Sequence, residues 1–143
     1  MTVIAYDGIT LAADSQLNYG TTRLKCDKLF ELPDGGIVGL AGSAAKCSRL
    51  LRYMRGEGPA PKRLIGVHAI RINADGSADL YAESTEPERI TSRVIAIGCG
   101  GDFALGCMVS GKTSAEAVAL TIEHDSQCGP PVVTLQPGKQ PGI

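Results

Sequence analysis

The second residue of this chain, Thr2, offers a nucleophile, because only the initiator Met1 precedes it. Methionine removal is normally permitted before a residue as small as threonine. Once exposed, Thr2 would carry a hydroxyl and an α-amine on one residue. The amine has a reference pKa of about 7.7–8.0, so it can act as the base for its own hydroxyl. A threonine paired with its N-terminal amine is an activated nucleophile.

Three further positions have the chemistry to support such a nucleophile. Lys28 stands on an otherwise apolar strand face, where a lysine needs a partner or a route to solvent. Asp14 ends the second predicted strand, within reach of both Lys28 and Thr2. Gly42 ends a later strand, where its backbone N–H can approach a reacting carbonyl. Taken singly, each has a plainer explanation: Lys28 and Asp14 as a structural ion pair, and Gly42 as a glycine that lets the chain turn.

These positions depend on a run of predicted strands. Short β-favouring segments separated by Gly, Asp, Asn and Pro predict antiparallel hairpins. The predicted pairs are residues 3–6 with 9–13 across Asp7-Gly8, 24–32 with 37–41, and 66–72 with 78–82, and single strands are predicted over 94–97 and 132–135. The strand over 24–32 would point Lys28 to the same side as Phe30 and Leu32.

Helical spacing of apolar residues predicts three helices, over 44–55 with Ser43 as the N-cap, over 102–109, and over 113–124. The order of strands and helices predicts an α+β fold rather than a doubly wound parallel sheet. We expect two antiparallel sheets packed face to face, with the 44–55 helix on one side and the other two helices on the other. Residues 1–143 are expected to form one domain, with a loose Pro/Gly-rich tail over 136–143.

Composition excludes several classes of protein. The 143 residues carry a formal net charge of −1, which gives no electrostatic case for nucleic acid or an anionic membrane. Aromatic residues make up only 4%, too few for a base-stacking surface. No apolar run reaches transmembrane length, and no signal peptide is evident, so we expect a cytoplasmic protein. The five cysteines include no C-x-x-C pair, so neither a zinc motif nor a disulfide framework is predicted.

Six short motifs follow one another in a familiar order. They are Thr2 near the start, then LAADS, DKLFEL, LAGS, IGCGG and HDSQCG. No single one is specific, but the ordered set, which spans nearly the whole chain from Thr2 to about Leu135, resembles the proteasome β-subunit and HslV family of N-terminal-nucleophile hydrolases.

The resemblance implies a four-layer αββα fold and peptide-bond hydrolysis, with no cofactor or metal. It implies Thr2 as the nucleophile and its amine as the base, Asp14 as the supporting carboxylate, and Lys28 as the catalytic lysine. Gly42 would supply the oxyanion N–H, and Asp125 would be the acid near the amine. It also implies peptide or unfolded-protein substrates, a homo-oligomeric ring and an ATPase unfoldase as partner.

The chain departs from the family pattern at two thiols and one helix. Cys99, in the glycine-rich turn, and Cys128, just after the second acid, stand where the family usually has serine near the reactive amine. A thiol is a weaker hydrogen-bonding group than a hydroxyl. The family's second helix after LAGS is replaced by the Gly/Pro-rich residues 56–61, so one helix layer is reduced. The sequence therefore leaves two functions open: a threonine-type peptidase, or a non-catalytic subunit of the same fold with a structural or binding role.

Two other chemistries have weaker support in the sequence. The Gly98-Cys99-Gly100-Gly101 turn before a helix resembles a phosphate cradle, but it lacks the Lys-Ser/Thr of a P-loop. A Cys/His hydrolase has no preferred nucleophile among five scattered cysteines, which are otherwise read as reduced core thiols.

Overall fold

The structure is a computed structural model that describes residues 2–138. The β-structure of these residues consists of two antiparallel sheets and one separate hairpin. The sheet that contains the N-terminal segment has the strand order β10-β1-β2-β11, and the larger sheet has the order β5-β6-β7-β8-β9. The strands are β1 (Ile4–Tyr6), β2 (Leu11–Ala13), β3 (Gln16–Tyr19), β4 (Thr22–Lys25), β5 (Leu29–Glu31), β6 (Ile37–Ala41), β7 (His68–Ile72), β8 (Ala78–Ala82), β9 (Glu88–Ile90), β10 (Ile95–Ile97) and β11 (Val133–Leu135).

Across residues 2–138, three helices cover the outer faces of the two sheets. The helices are α1 (Ala44–Met54), α2 (Gly101–Val109) and α3 (Ser114–His124). The Ser43 side chain caps α1, and Thr113 and Glu116 form a reciprocal capping box at the start of α3. The Ser43 cap confirms the sequence prediction, and the two caps fix where α1 and α3 begin.

Three apolar clusters give the molecule four layers. Residues such as Ile4, Leu11 and Ile70 fill the space between the two sheets. Leu50 and Leu51 of α1 pack on the outer face of the larger sheet. On the opposite side, buried residues of α2 and α3 pack on β1 and β2. The predicted αββα arrangement, with one helix on one side and two on the other, is therefore confirmed, and the segment between α1 and β7 contains no helix.

The first hairpin is confirmed, but its turn is longer than the two residues predicted. Ile4 pairs with Ala13, and the Asp7 carboxylate accepts hydrogen bonds from the Ile9 and Thr10 nitrogens, at 2.9 and 2.8 Å. A four-residue connection therefore joins the strands. As a result Val3, and not Thr2, lies beside Asp14, whose backbone N–H donates to the Val3 carbonyl.

The predicted strand over 24–32 is wrong. It divides into β4 and β5, which belong to different sheets, and β4 pairs with the unpredicted strand β3. The Cys26 N–H still donates to the Ser15 carbonyl, in register with the β3–β4 pairing, and the backbone then enters the larger sheet at Leu29, which pairs with Gly39 of β6. Leu24 is consequently exposed, whereas Lys28 is buried at the point where the two strands separate.

The remaining differences lie near the ends of elements. Strand β9 is short and mostly exposed, so it has no apolar pattern by which to recognise it. The loose tail is not found at its start: Gln136 donates to the Thr10 hydroxyl, and the Gly138 N–H donates to the Gly35 carbonyl. Residues 139–143 of that predicted tail lie outside the described residues. Within residues 2–138, no helix is both long and apolar enough to cross a lipid bilayer.

Candidate active site

A buried carboxylate, Asp14, organises the site. Asp14 follows β2 and is 1% exposed. Its Oδ1 accepts hydrogen bonds from the Val3 N–H at 3.1 Å and from Lys28 Nζ at 2.9 Å. Its Oδ2 accepts from the Gln16 N–H at 3.2 Å and the Gly129 N–H at 3.1 Å. Four donors therefore satisfy this buried charge, as burial of a charge requires.

Lys28 and the N-terminal strand are held together by that one carboxylate oxygen. Because Oδ1 accepts both bonds, Lys28 Nζ lies within about 6 Å of the Val3 nitrogen, and Thr2 is the adjoining residue. Lys28 is 7% exposed, and its own carbonyl accepts a bond from the Leu40 N–H. The ion pair expected between Lys28 and Asp14 is therefore present, at a strand break and not within a continuous strand.

A cavity of about 810 Å³ opens beside these residues. Thr2, Lys28, Gly42 and Cys99 all line it. Its apolar wall comes from β5, β6 and α1, and includes Phe30, Leu40, Cys47 and Leu51. Burial, and then the neighbouring Cys26, raise the pKa of the Cys47 thiol, so this wall is uncharged at neutral pH.

Gly42 occupies a backbone conformation that requires glycine. Its φ is +137°, and an added Cβ would lie 2.8 Å from the Gly66 carbonyl oxygen. The sequence interpretation of Gly42 as a turn residue is thus satisfied, and the residue also lines the cavity. The direction of its N–H toward a reacting carbonyl stays a prediction.

The turn over residues 98–100 lies against the Thr2 main chain. The Gly100 N–H donates to the Thr2 carbonyl at 3.2 Å, and Cys99 Sγ lies 3.5 Å from the same oxygen. A Cβ on Gly98 would overlap that carbonyl, so only glycine fits there. Gly98 is not among the predicted site residues, although a glycine between a half-buried strand and a helix signals such a close approach.

Asp125 and Cys128, in the turn after α3, lie near Cys99 and the Thr2 main chain. Asp125 is the C-cap of α3, and its Oδ2 lies 3.9 Å from Cys99 Sγ. The Cys128 N–H donates to the Asp125 carbonyl, which closes the turn that carries both residues. Burial raises the pKa of the Cys128 thiol, and the nearby charges of Asp14, Cys99 and Asp125 raise it further, so this thiol is protonated at neutral pH.

Gln16 is a further site residue that the sequence did not predict. Its side chain donates to the Ser126 carbonyl at 3.0 Å and so ties β3 to the turn over 125–128. It also lines the cavity. A polar residue directly after LAADS was the available signal, but without the separate β3–β4 hairpin its position was not predictable.

The seven predicted site residues thus fall into two connected groups around the N-terminal strand. Asp14 and Lys28 form one group, and Cys99, Asp125 and Cys128 form the other. Thr2 touches the second group through its carbonyl and adjoins the first through Val3. Gly42 joins them through the shared cavity. All five cysteines are free thiols.

Comparison with solved structures identifies the fold. BPH from Thiobacillus denitrificans has a TM-score of 0.74 and 19% sequence identity, covering 94% of this chain and 96% of that one. The same protein in complex with epoxomicin has a TM-score of 0.72 and 18% identity, covering 94% and 97%. HslV from Trypanosoma brucei has a TM-score of 0.68 and 19% identity, covering 94% and 98%. No protein-family profile and no curated protein sequence matches the chain. The chain therefore has the HslV-like fold, which confirms the resemblance at the level of the fold.

Proposed function

We propose that this chain is a threonine-type peptidase that hydrolyses amide bonds through Thr2 after Met1 has been removed. The observation that carries the proposal is the buried Asp14 carboxylate, which binds both Lys28 and the backbone of Val3, next to Thr2. Lys28 and Thr2 both line one cavity. An ion pair with a purely structural role would not require Thr2 and a cavity of about 810 Å³ beside it.

Each residue has a distinct role in this proposal. The Thr2 hydroxyl attacks the substrate carbonyl, and the Thr2 amine takes the hydroxyl proton and passes it to the leaving amine. The positive charge of Lys28 disfavours protonation of that amine, while Asp14 fixes the position of Lys28. The Gly42 N–H stabilises the negative oxygen of the intermediate. Water then hydrolyses the acyl–Thr2 ester and restores the free hydroxyl.

Asp125 and the two thiols are proposed as positioning residues for the Thr2 main chain. Cys99 Sγ lies between the Thr2 carbonyl and the Asp125 carboxylate. The protonated thiol of Cys128 packs beneath the turn, where a Cβ on Gly100 would be 3.4 Å from its sulfur. Hydrogen bonds of this kind would hold the amine in place, as serine hydroxyls do in the family.

The substrate class follows from the cavity wall. Phe30, Leu40 and Leu51 present an apolar surface beside Thr2, which suits an unfolded peptide with an apolar side chain before the cleaved bond. Such a peptidase would endanger its host unless enclosed. We therefore propose a homo-oligomeric ring in the cytoplasm, with an ATPase unfoldase as partner. Light scattering at micromolar concentration is expected to give a multiple of the chain mass, and a monodisperse monomer would contradict the ring.

Peptide hydrolysis by Met1-free protein tests the activity. Thr2→Ala should abolish cleavage of short fluorogenic peptides, and Lys28→Met should nearly do so because it removes the charge and keeps the apolar side chain. Thr22→Ala is the matched control, since Thr22 is an exposed threonine on β4. If Thr2→Ala cleaves as fast as Thr22→Ala, Thr2 is not the nucleophile.

A non-catalytic subunit is the second candidate function. The thiols at Cys99 and Cys128 favour it, because they weaken hydrogen bonding around Thr2. It predicts assembly without hydrolysis, so the same two measurements separate the two functions.

A further inference from the structure

Two thiols and a carboxylate meet beside the N-terminal strand. Cys99 Sγ, Cys128 Sγ and a carboxylate oxygen of Asp125 all lie within 4.8 Å of one another. Cys99 comes from the turn between β10 and α2, and the other two come from the turn after α3. Because the two turns are far apart in sequence, no spacing motif for a metal appears in the chain.

The backbone around this cluster is fixed. The Gly100 N–H binds the Thr2 carbonyl on one side, and the Asp14 carboxylate accepts a bond from the Gly129 N–H on the other. The Gln127 N–H donates to Asp125 Oδ1 at 2.9 Å, so the other oxygen, Oδ2, is the one turned toward Cys99. This local turn contact therefore fixes which carboxylate oxygen faces the cluster.

The dimensions are close to those of a tetrahedral zinc site. Zn–S bonds of about 2.3 Å and Zn–O bonds of about 2.0 Å place two sulfurs about 3.8 Å apart and a sulfur and an oxygen about 3.5 Å apart. The Cys99 sulfur and the Asp125 oxygen are 3.9 Å apart, and all three ligand atoms are within 4.8 Å. Side-chain shifts of less than about 1 Å would complete the geometry. Cys99 is exposed, so an ion can reach the site from solvent.

We propose that Cys99, Asp125 and Cys128 bind one thiophilic divalent cation of the Zn²⁺ class. The two sulfur ligands select such an ion over Mg²⁺ or Ca²⁺, which prefer oxygen. On binding, each thiol releases one proton to solvent and coordinates as a thiolate. Three protein ligands leave the fourth position open to water or to a group of a neighbouring molecule.

Binding would also affect Thr2. An ion held by Cys99 takes its sulfur away from the Thr2 carbonyl, which now lies 3.5 Å from it, and withdraws Asp125 from the same network. We expect bound Zn²⁺ to slow the reaction of Thr2. This consequence rests on the proposed peptidase function, whereas the binding itself does not.

Cobalt absorption tests the binding directly. Reduced protein titrated with Co²⁺ should develop a thiolate-to-cobalt charge-transfer band that saturates at one ion per chain, and Zn²⁺ should abolish the band. Cys99→Ser and Cys128→Ser should each weaken binding by about tenfold or more, at least the effect of losing an outer hydrogen-bond partner. Cys107→Ser, on α2 and outside the cluster, should bind as the unaltered chain does.

Cys99→Ser is the decisive variant, because an exposed side chain can be replaced without unfolding the domain. A wild-type titration without the band, or a Cys99→Ser protein that binds as tightly as Cys107→Ser, would overturn the proposal. A disulfide between Cys99 and Cys128 that forms in place of metal binding would also overturn it. Binding without any peptidase activity would instead support the metal site and contradict the proposed function.

Discussion

Replacing Asp14 with asparagine should cost far more stability than replacing an exposed aspartate. An asparagine has one carbonyl oxygen, and its amide NH₂ must then face two of the four donors that now bind Asp14. If the NH₂ takes the place of Oδ2, the Gln16 and Gly129 N–H groups lose their acceptor. Each buried donor without a partner costs about 1–3 kcal/mol, and the buried ion pair with Lys28 is lost as well. We therefore expect Asp14→Asn to lower the free energy of unfolding by about 3–5 kcal/mol.

Urea denaturation followed by far-ultraviolet circular dichroism measures this loss, since the chain has no tryptophan to report by fluorescence. Protein concentration must be held constant, because assembly would add to apparent stability. Asp34→Asn is the matched control: Asp34 also forms an ion pair, in its case with Arg71, but its side chain is 56% exposed. That variant should lose less than about 1 kcal/mol. Equal losses for the two variants would refute the central position given to Asp14.

Two further predictions concern the Gly98 turn beside the site and the Asp7 turn at the other end of β1. In the same urea assay, Gly98→Ala should lower the free energy of unfolding much more than Gly76→Ala does. Both glycines have a positive φ, but only Gly98 faces the Thr2 carbonyl. Equal losses of unfolding free energy would contradict this contact. Burial tends to raise the pKa of Asp7, but hydrogen bonds from N–H groups, including that of Ser114, hold this pKa below its usual value. The ionised Asp7 carboxylate therefore stabilises the fold at neutral pH, and this stabilisation is lost as the pH falls through the lowered pKa. Asp7→Asn should therefore be less stable than the unaltered chain at pH 7, and this difference in unfolding free energy should shrink as the pH falls through the lowered pKa; a difference that does not change on acidification would contradict this role.

The layers of the fold were predictable because apolar periodicity and turn residues are local. The pattern of Leu50 and Leu51 identified α1, and the Asn73–Gly76 turn identified the β7–β8 hairpin. The strand over 24–32 failed because alternation continued through Cys26 and Lys28, where the backbone in fact changes sheets. Residues up to Lys25 pair with β3, whereas residues from Leu29 pair with β6, and no local pattern encodes this change of partner strand.

The candidate site was predictable in part for the same reason. A lysine that faces the interior requires a buried counter-charge, so the inward position of Lys28 predicted its ion pair with Asp14. The placement of Asp125 and Cys128 beside Cys99 came from the family resemblance, because contacts between distant turns leave no periodic signal. Gly98 lets the chain pass close to the Thr2 carbonyl, and the Gln16 side chain binds the Ser126 carbonyl. Both are contacts with distant backbone, so the sequence alone does not predict them.

Mapping an epoxyketone adduct by mass spectrometry tests the proposed function most directly. An epoxyketone reacts with a hydroxyl and an amine on the same residue, so it distinguishes a free N-terminal threonine from a cysteine, and epoxomicin is bound in one of the structures that this chain resembles. The measurement uses protein whose intact mass confirms that Met1 is absent. We predict one epoxomicin per chain on Thr2, and none on protein that keeps Met1 or carries Thr2→Ala. An adduct on a cysteine, or no adduct on fully Met1-free protein, would contradict the assignment of Thr2 as the nucleophile.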